Sequence, residues 1–135
     1  MDIRERSEQR NERRLRVLVI DDDETARDTV ARLATRQGTV ITRAATGLQG
    51  IAKAQVEHPD VILLDLMMPN VGGHEVLARL RAEESTAKIP VIVVTSRFIN
   101  DDERQQILTR ASAVIYRHDL SREAVTGAID SALSR

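Results

Sequence analysis

Short apolar runs rich in Val and Ile recur along the chain and alternate with stretches of helical spacing. The five runs cover residues 17–20, 39–42, 61–64, 91–94 and 113–116. Their nearly continuous apolar character is typical of strands that are buried on both faces of a parallel sheet. Each run is therefore predicted to form a strand, and the strands are numbered one to five in chain order.

The stretches between the runs place apolar residues three or four positions apart, as amphipathic helices do. Helices are predicted between strands two and three around Leu48 and Ile51, and over residues 24–36, 74–84, 101–109 and 120–133. Parallel strands that are joined by helices need crossover connections, which are nearly always right-handed. The predicted fold is α/β, a doubly wound five-stranded parallel sheet of flavodoxin-like order 2-1-3-4-5 with helices on both faces.

Composition narrows the class of protein. The 135 residues, 41% apolar and 30% charged, suit one globular domain. A net charge of −1 gives no field that attracts nucleic acid or an anionic membrane, and Phe98 and Tyr116 are too few aromatic residues for a base-stacking surface. The apolar runs are far shorter than the roughly 20 residues of a membrane span. We expect a cytoplasmic protein that binds neither nucleic acid directly nor a membrane.

The distribution of polar residues along the chain predicts the domain boundaries. Residues 1–14 are almost wholly polar, with acids and arginines interleaved, so we expect a flexible charged arm before one domain over residues 15–135.

The chain contains no cysteine, which excludes a disulfide framework, a thiol nucleophile and a thiolate metal site. A bound metal would therefore use oxygen or imidazole ligands.

Polar side chains follow four of the predicted strands, at the edge where doubly wound sheets bind their ligands. These side chains are Asp21, Asp22 and Asp23 after strand one, Asp65 after strand three, Thr95 and Ser96 after strand four, and Arg117 after strand five. Converging carboxylates raise one another's pKa, and a divalent cation relieves that cost. Hard oxygen ligands suit Mg²⁺, for which Mn²⁺ could substitute.

Asp65 is the predicted nucleophile of this group, because a carboxylate can itself form an aspartyl phosphate. The Thr95 hydroxyl and the Arg117 cation, each arriving from a neighbouring strand end, could hold the transferred phosphoryl oxygens. Asp23 directly precedes the helix predicted over residues 24–36, and we expect it to cap that helix. The sequence thus predicts a magnesium-dependent phosphoryl-transfer site.

Three segments resemble the signature blocks of the receiver domains of two-component response regulators. They are residues 17–23 (VLVIDDD), residues 63–69 (LLDLMMP) with Gly72 and Gly73, and residues 93–96 (VVTS). The resemblance covers about residues 15–133. It implies that a histidine kinase or a phosphotransfer protein phosphorylates Asp65, and that Thr95 is the switch hydroxyl that follows the phosphoryl group.

The same resemblance implies the metal ligands and the partners. Asp22, Asp65 and the Met67 carbonyl would bind the metal, and Asp21 would contribute through water. A downstream protein would dock on the face formed by helix four, strand five and helix five, on a monomer or a weak homodimer. The expected activity is at most self-phosphorylation from a phosphodonor and autodephosphorylation, which is not that of a conventional enzyme.

Two features of the sequence depart from the pattern of this family. The family has lysine followed by proline after strand five, where this chain has Arg117 and His118, and the family's aromatic switch position falls on Val114. Without proline a cis peptide bond costs about 2.5–4 kcal/mol, so we predict a trans bond between Arg117 and His118. Chemistry on Asp65 is expected to be preserved.

Two other functions fit parts of the sequence. A degenerate receiver would bind partners independently of phosphorylation. Residues 21–25 (DDDET) also match the D-x-D-x-T pattern of haloacid-dehalogenase-like phosphatases, with Asp21 as nucleophile and Asp23 as acid. Such phosphatases need a cap or a longer core to enclose the substrate, for which this chain has no spare length.

Overall fold

The computed structural model describes residues 14–134, in which five strands alternate with five helices. The first 13 residues of the predicted arm lie outside this range. The strands are β1 Arg16–Ile20, β2 Val40–Ala44, β3 Val61–Asp65, β4 Val91–Thr95 and β5 Ala113–Tyr116. The helices are α1 Glu24–Ala34, α2 Gly47–Glu57, α3 Gly73–Ala82, α4 Asp101–Leu108 and α5 Arg122–Leu133. A short 3₁₀ turn, Arg117–Asp119, connects β5 to the segment before α5.

The strands form one parallel sheet in the order β2-β1-β3-β4-β5, which confirms the predicted topology. Successive side chains of β1 point to opposite faces. Val17 and Val19 pack with the buried residues of α1 and α5, whereas Leu18 and Ile20 pack with those of α2, α3 and α4. Helices therefore cover both faces, and every residue of the central strand β3 is buried.

Strand β2 extends further than predicted. It covers Val40–Ala44 rather than residues 39–42, because its ladder with β1 continues to the pair Ile20 and Ala44. The prediction was centred on Val40 and Ile41, yet Val40 lies at the edge of the sheet and is 36% exposed. Ala44 is the buried residue of this strand, and alanine gives a weak strand signal.

The helices begin close to the strand ends because polar side chains cap their first turns. Asp23 accepts a hydrogen bond from the Ala26 backbone N–H at 3.1 Å, which confirms its predicted role. Thr46, Asn100 and Ser121 cap α2, α4 and α5 in the same way. Within residues 14–134, no helix combines the length and the apolar character that crossing a bilayer requires.

Gly73 lets the first turn of α3 lie directly against the end of β3. A Cβ atom at this position would lie 2.6 Å from the Leu66 Cα and 2.9 Å from the Asp65 carbonyl oxygen, which is closer than real Cβ contacts allow. The Gly73 N–H also donates to the Leu66 carbonyl at 3.0 Å. The segment that follows Asp65 is therefore held in a tight turn.

Candidate functional site

A cleft opens at the carboxyl edge of the sheet, where β1, β3, β4 and β5 end. It is lined by Asp21, Asp22, Asp23, Ala26, Asp65, Met67, Ser96 and Arg117. Parallel strands bring their carboxyl ends to one edge, so side chains that are far apart in sequence meet here. All the residues predicted from the sequence for this edge line the cleft except Thr95.

Three carboxylates converge in the cleft. Asp21, Asp22 and Asp65 each present an oxygen within 4.8 Å of the others. Asp21 is 2% exposed and Asp65 is 7% exposed, whereas Asp22 faces solvent. Burial, followed by repulsion from Asp21, raises the pKa of Asp65 from 3.8 to about 7, although the Met67 N–H and Arg117 act in the opposite direction.

Both carboxylate oxygens of Asp21 are occupied. Oδ1 accepts a hydrogen bond from the Asp23 N–H at 3.0 Å, and Oδ2 accepts one from the Arg117 guanidinium at 3.1 Å. The Arg27 guanidinium holds the backbone carbonyl of Asp21 at 3.0 Å. A buried carboxylate with both oxygens engaged is poorly placed for attack on a substrate, and Asp23 caps α1. The phosphatase alternative is therefore not favoured.

Arg117 reaches the carboxylates from the end of β5, as the sequence predicts. Its guanidinium lies 3.7 Å from Asp65 Oδ1 as well as 3.1 Å from Asp21 Oδ2. No cis peptide bond occurs within the described residues, so the predicted trans bond before His118 is confirmed. The His118 ring stacks on Tyr116 with 5.6 Å between the ring centroids.

Met67 contacts Asp65 through its backbone. Its N–H donates to Asp65 Oδ1 at 3.2 Å, and the residue is 49% exposed at the rim of the cleft. The Met67 sulfur lies 3.2 Å from Nε of Arg97, a residue of the loop that follows β4. The turn after Asp65 and the loop after β4 are thus in direct contact at the rim.

The Thr95 hydroxyl faces the loop after β4. The residue is fully buried, and the hydroxyl donates to the Arg97 carbonyl at 3.3 Å and accepts from the Arg97 N–H at 3.1 Å. Ser96, the next residue, lines the cleft. The sequence predicts Ser96 at this strand end without indicating a role for it, although the alternation of side chains along a strand indicates that residues 95 and 96 face different sides.

The donor set fits a hard divalent cation. Three carboxylates, one of them exposed to solvent, offer the oxygen ligands that Mg²⁺ prefers. Burial and the repulsion from Asp21, which raise the pKa of Asp65, both disfavour its charged form, and a bound cation would offset that cost. An acidic cluster of this kind is typical of magnesium binding.

Comparison with known proteins gives concordant matches. A family model described as "Response regulator receiver domain" matches residues 17–119. The gliding motility regulatory protein of Myxococcus xanthus is 34% identical over 118 residues, which are 87% of this chain and 15% of that protein. Protein PilH of Pseudomonas aeruginosa is 34% identical over 82 residues, which are 61% of this chain and 68% of that protein. The fold also matches the crystal structure of the Vibrio cholerae chemotaxis protein CheY4, with a TM-score of 0.78 at 24% identity over 88% of this chain and 98% of that chain.

Proposed function

Because this chain belongs to the response-regulator receiver domain family, we propose that it accepts a phosphoryl group on Asp65 in a magnesium-dependent reaction. The position of Asp65 is the main support for this proposal. It ends the central strand in the cleft, beside two further carboxylates and a guanidinium. Its raised pKa indicates a site in which added positive charge is favourable.

In the proposed reaction an Asp65 carboxylate oxygen forms a bond to the phosphorus of a phosphohistidine. The P–N bond breaks, and its electron pair returns to the donor imidazole, which is then protonated. Arg117 is close enough to both Asp65 and Asp21 to shift toward the incoming phosphoryl oxygens, and its guanidinium offers several donors for them. The Met67 N–H keeps the Asp65 carboxylate oriented.

Asp22, Asp65 and the Met67 carbonyl are the proposed ligands of Mg²⁺, with Asp21 contributing through water, and Mn²⁺ could substitute. When bound, the ion would neutralise negative charge on the carboxylates and on the phosphoryl oxygens. Asp22 suits direct coordination of the ion because its carboxylate is exposed, whereas the Asp21 oxygens already accept hydrogen bonds from Asp23 and Arg117.

The proposed donor is a histidine kinase or a histidine phosphotransfer protein. The proposed docking face for a downstream protein comprises α4, β5 and α5, on a monomer or a weak homodimer. Two features support this face: β5 is an edge strand, and Ile107 is the sole buried residue of α4, so much of this side of the domain is exposed. The domain would then signal by docking, with residues 1–14 as an arm preceding it.

Treatment with acetyl phosphate and Mg²⁺, followed by peptide mass spectrometry, tests the assignment. We expect modification at Asp65, none in Asp65→Asn, and none in the presence of excess chelator. Asp102→Asn is the matched control, because it removes an exposed carboxylate of α4 outside the cleft. Modification at Asp21 would support the phosphatase mechanism, and an unmodified wild-type protein would support a degenerate receiver.

A further inference from the structure

A network of charged side chains ties α4 to the rim of the cleft. The Arg97 guanidinium makes two contacts with the Glu103 carboxylate, at 2.5 and 3.0 Å, and His74 Nε2 lies 2.9 Å from Glu103 Oε2. The hydrogen bond from Arg97 is the main cause that lowers the pKa of Glu103 to about 2, and the hydrogen bond from His74 is the second. Glu103 is therefore ionised at neutral pH. We call the ion pair between Arg97 and Glu103 the Arg97–Glu103 clamp.

The clamp joins three parts of the domain. Glu103 belongs to the first turn of α4, His74 belongs to the first turn of α3, and Arg97 contacts Met67 in the turn after Asp65. Helix α4 is otherwise weakly anchored, since Ile107 is the one buried residue among its eight. Loss of the clamp would therefore leave the N-terminal half of α4 attached mainly through the buried Ile99, which lies just before the helix.

Thr95 links the clamp to the end of β4, the strand that pairs with β3 beside Asp65. The Thr95 hydroxyl bonds both the N–H and the carbonyl of Arg97, so it fixes the backbone from which the Arg97 side chain extends. Its donated bond is long, at 3.3 Å, and both partners are neutral. A phosphoryl group on Asp65 would offer a charged acceptor, and charge-assisted hydrogen bonds are roughly twice as strong as neutral ones.

A phosphoryl group would act on the Arg97 side chain as well. This side chain lies at the rim of the cleft against Met67, and the added negative charge would compete with Glu103 for the guanidinium. Both effects act in the same direction, because one releases the backbone of Arg97 and the other attracts its side chain away from α4.

We propose that the Arg97–Glu103 clamp holds α4 in place before phosphorylation, and that phosphorylation of Asp65 opens the clamp and frees the N-terminal half of α4. Arg97 and Glu103 are positioning residues in this scheme, since neither accepts the phosphoryl group. The release step rests on the proposed function, whereas the holding role of the clamp in the unmodified domain does not.

Hydrogen exchange with mass spectrometry, read over residues 101–108, tests the clamp in the full chain. The variants are Glu103→Gln and Arg97→Lys, and Glu75→Gln is the matched control because it removes the exposed partner of Arg79 on α3. In wild type, acetyl phosphate with Mg²⁺ should speed exchange in α4 several-fold. Glu103→Gln should exchange rapidly before any modification and change little afterwards, Arg97→Lys should be intermediate, and Glu75→Gln should match wild type.

Phosphate uptake at Asp65 is measured in the same samples and should persist in every variant. If unmodified Glu103→Gln kept wild-type protection in α4, or if its α4 responded to phosphorylation as wild type does, the clamp would be refuted. Protection of β3 peptides reports whether each variant is folded, and Arg97→Lys, which keeps the charge, decides the matter if Glu103→Gln unfolds. If the wild-type protein takes up no phosphate, both the proposed function and the release of α4 on phosphorylation are refuted. The comparison of exchange in the unmodified wild type and variants would still decide whether the clamp holds α4.

Discussion

Replacing Asp65 by asparagine is expected to stabilise the metal-free domain at neutral pH. Asp65 is almost fully buried and lies beside Asp21, and these two causes raise its pKa to about 7. The folded domain therefore binds the Asp65 proton more tightly than the unfolded chain does. The wild type should consequently lose stability as the pH rises from about 4 to about 7. Asparagine is uncharged throughout this range and avoids the loss.

The size of the effect follows from the shift in pKa. One pKa unit corresponds to about 1.36 kcal/mol, so a rise from 3.8 to about 7 amounts to about 4 kcal/mol near pH 7. The asparagine NH₂ would lie close to the Arg117 guanidinium, which offsets part of the gain. We expect Asp65→Asn to raise the free energy of unfolding by about 2–4 kcal/mol at pH 7 and by less than about 1 kcal/mol at pH 4.

Urea unfolding followed by circular dichroism, in buffer with EDTA from pH 4 to pH 8, measures this difference. Asp102→Asn serves as the control for the loss of a carboxylate, and it should change the unfolding free energy by less than about 1 kcal/mol at any pH. Addition of Mg²⁺ should narrow the gap by stabilising the wild type more than the variant. Equal stability of wild type and Asp65→Asn at pH 7, or a gain that does not depend on pH, would refute the electrostatic argument.

Three further substitutions probe the site. Asp22→Asn should weaken Mg²⁺ binding about tenfold or more, measured by the metal dependence of thermal unfolding, because it removes the exposed carboxylate of the proposed metal site. Unchanged affinity would exclude Asp22 from that site. Thr95→Ala should still take up phosphate on Asp65 by mass spectrometry but should show a smaller change of hydrogen exchange in α4, and a wild-type response would argue against a switch role. Gly73→Ala should cost about 1–3 kcal/mol in urea unfolding, because its Cβ would press on the backbone of Leu66 and Asp65, and a neutral result would mean that the turn yields easily.

The fold was predictable from the sequence because its strands are buried on both faces. Val61, Ile62, Leu63 and Leu64 are all fully buried in β3, so the apolar run and the strand coincide. The prediction was wrong by two residues at the end of β2, where the edge position exposes Val40 and the pairing with β1 continues to Ala44. Hydrophobic pattern locates buried strands well, but the length of an edge strand depends on its ladder.

The residues of the site that directly follow a strand were predictable from the sequence. Asp21, Asp22, Asp65 and Arg117 meet because parallel strands share one edge. Strand alternation predicts that Thr95 and Ser96 face different sides, but the bonds of the Thr95 hydroxyl to the Arg97 backbone depend on the course of the loop after β4, which the sequence pattern does not give. Arg97 gave no signal in the sequence either, because its partner Glu103 lies six residues away and meets it only through the course of the loop after β4.

The sheet divides the apolar interior into two layers that share no helix, one beneath α1 and α5 and the other beneath α2, α3 and α4. A change of side chain beneath α4 is thus separated by a layer of backbone from any change beneath α1, and the effects of distant, unconnected substitutions on stability usually add. Substitutions on one side of the sheet can therefore be made without repacking the other side. The acidic cleft, built from loops on the rim where the two layers meet, is the part for which the two sides must remain compatible.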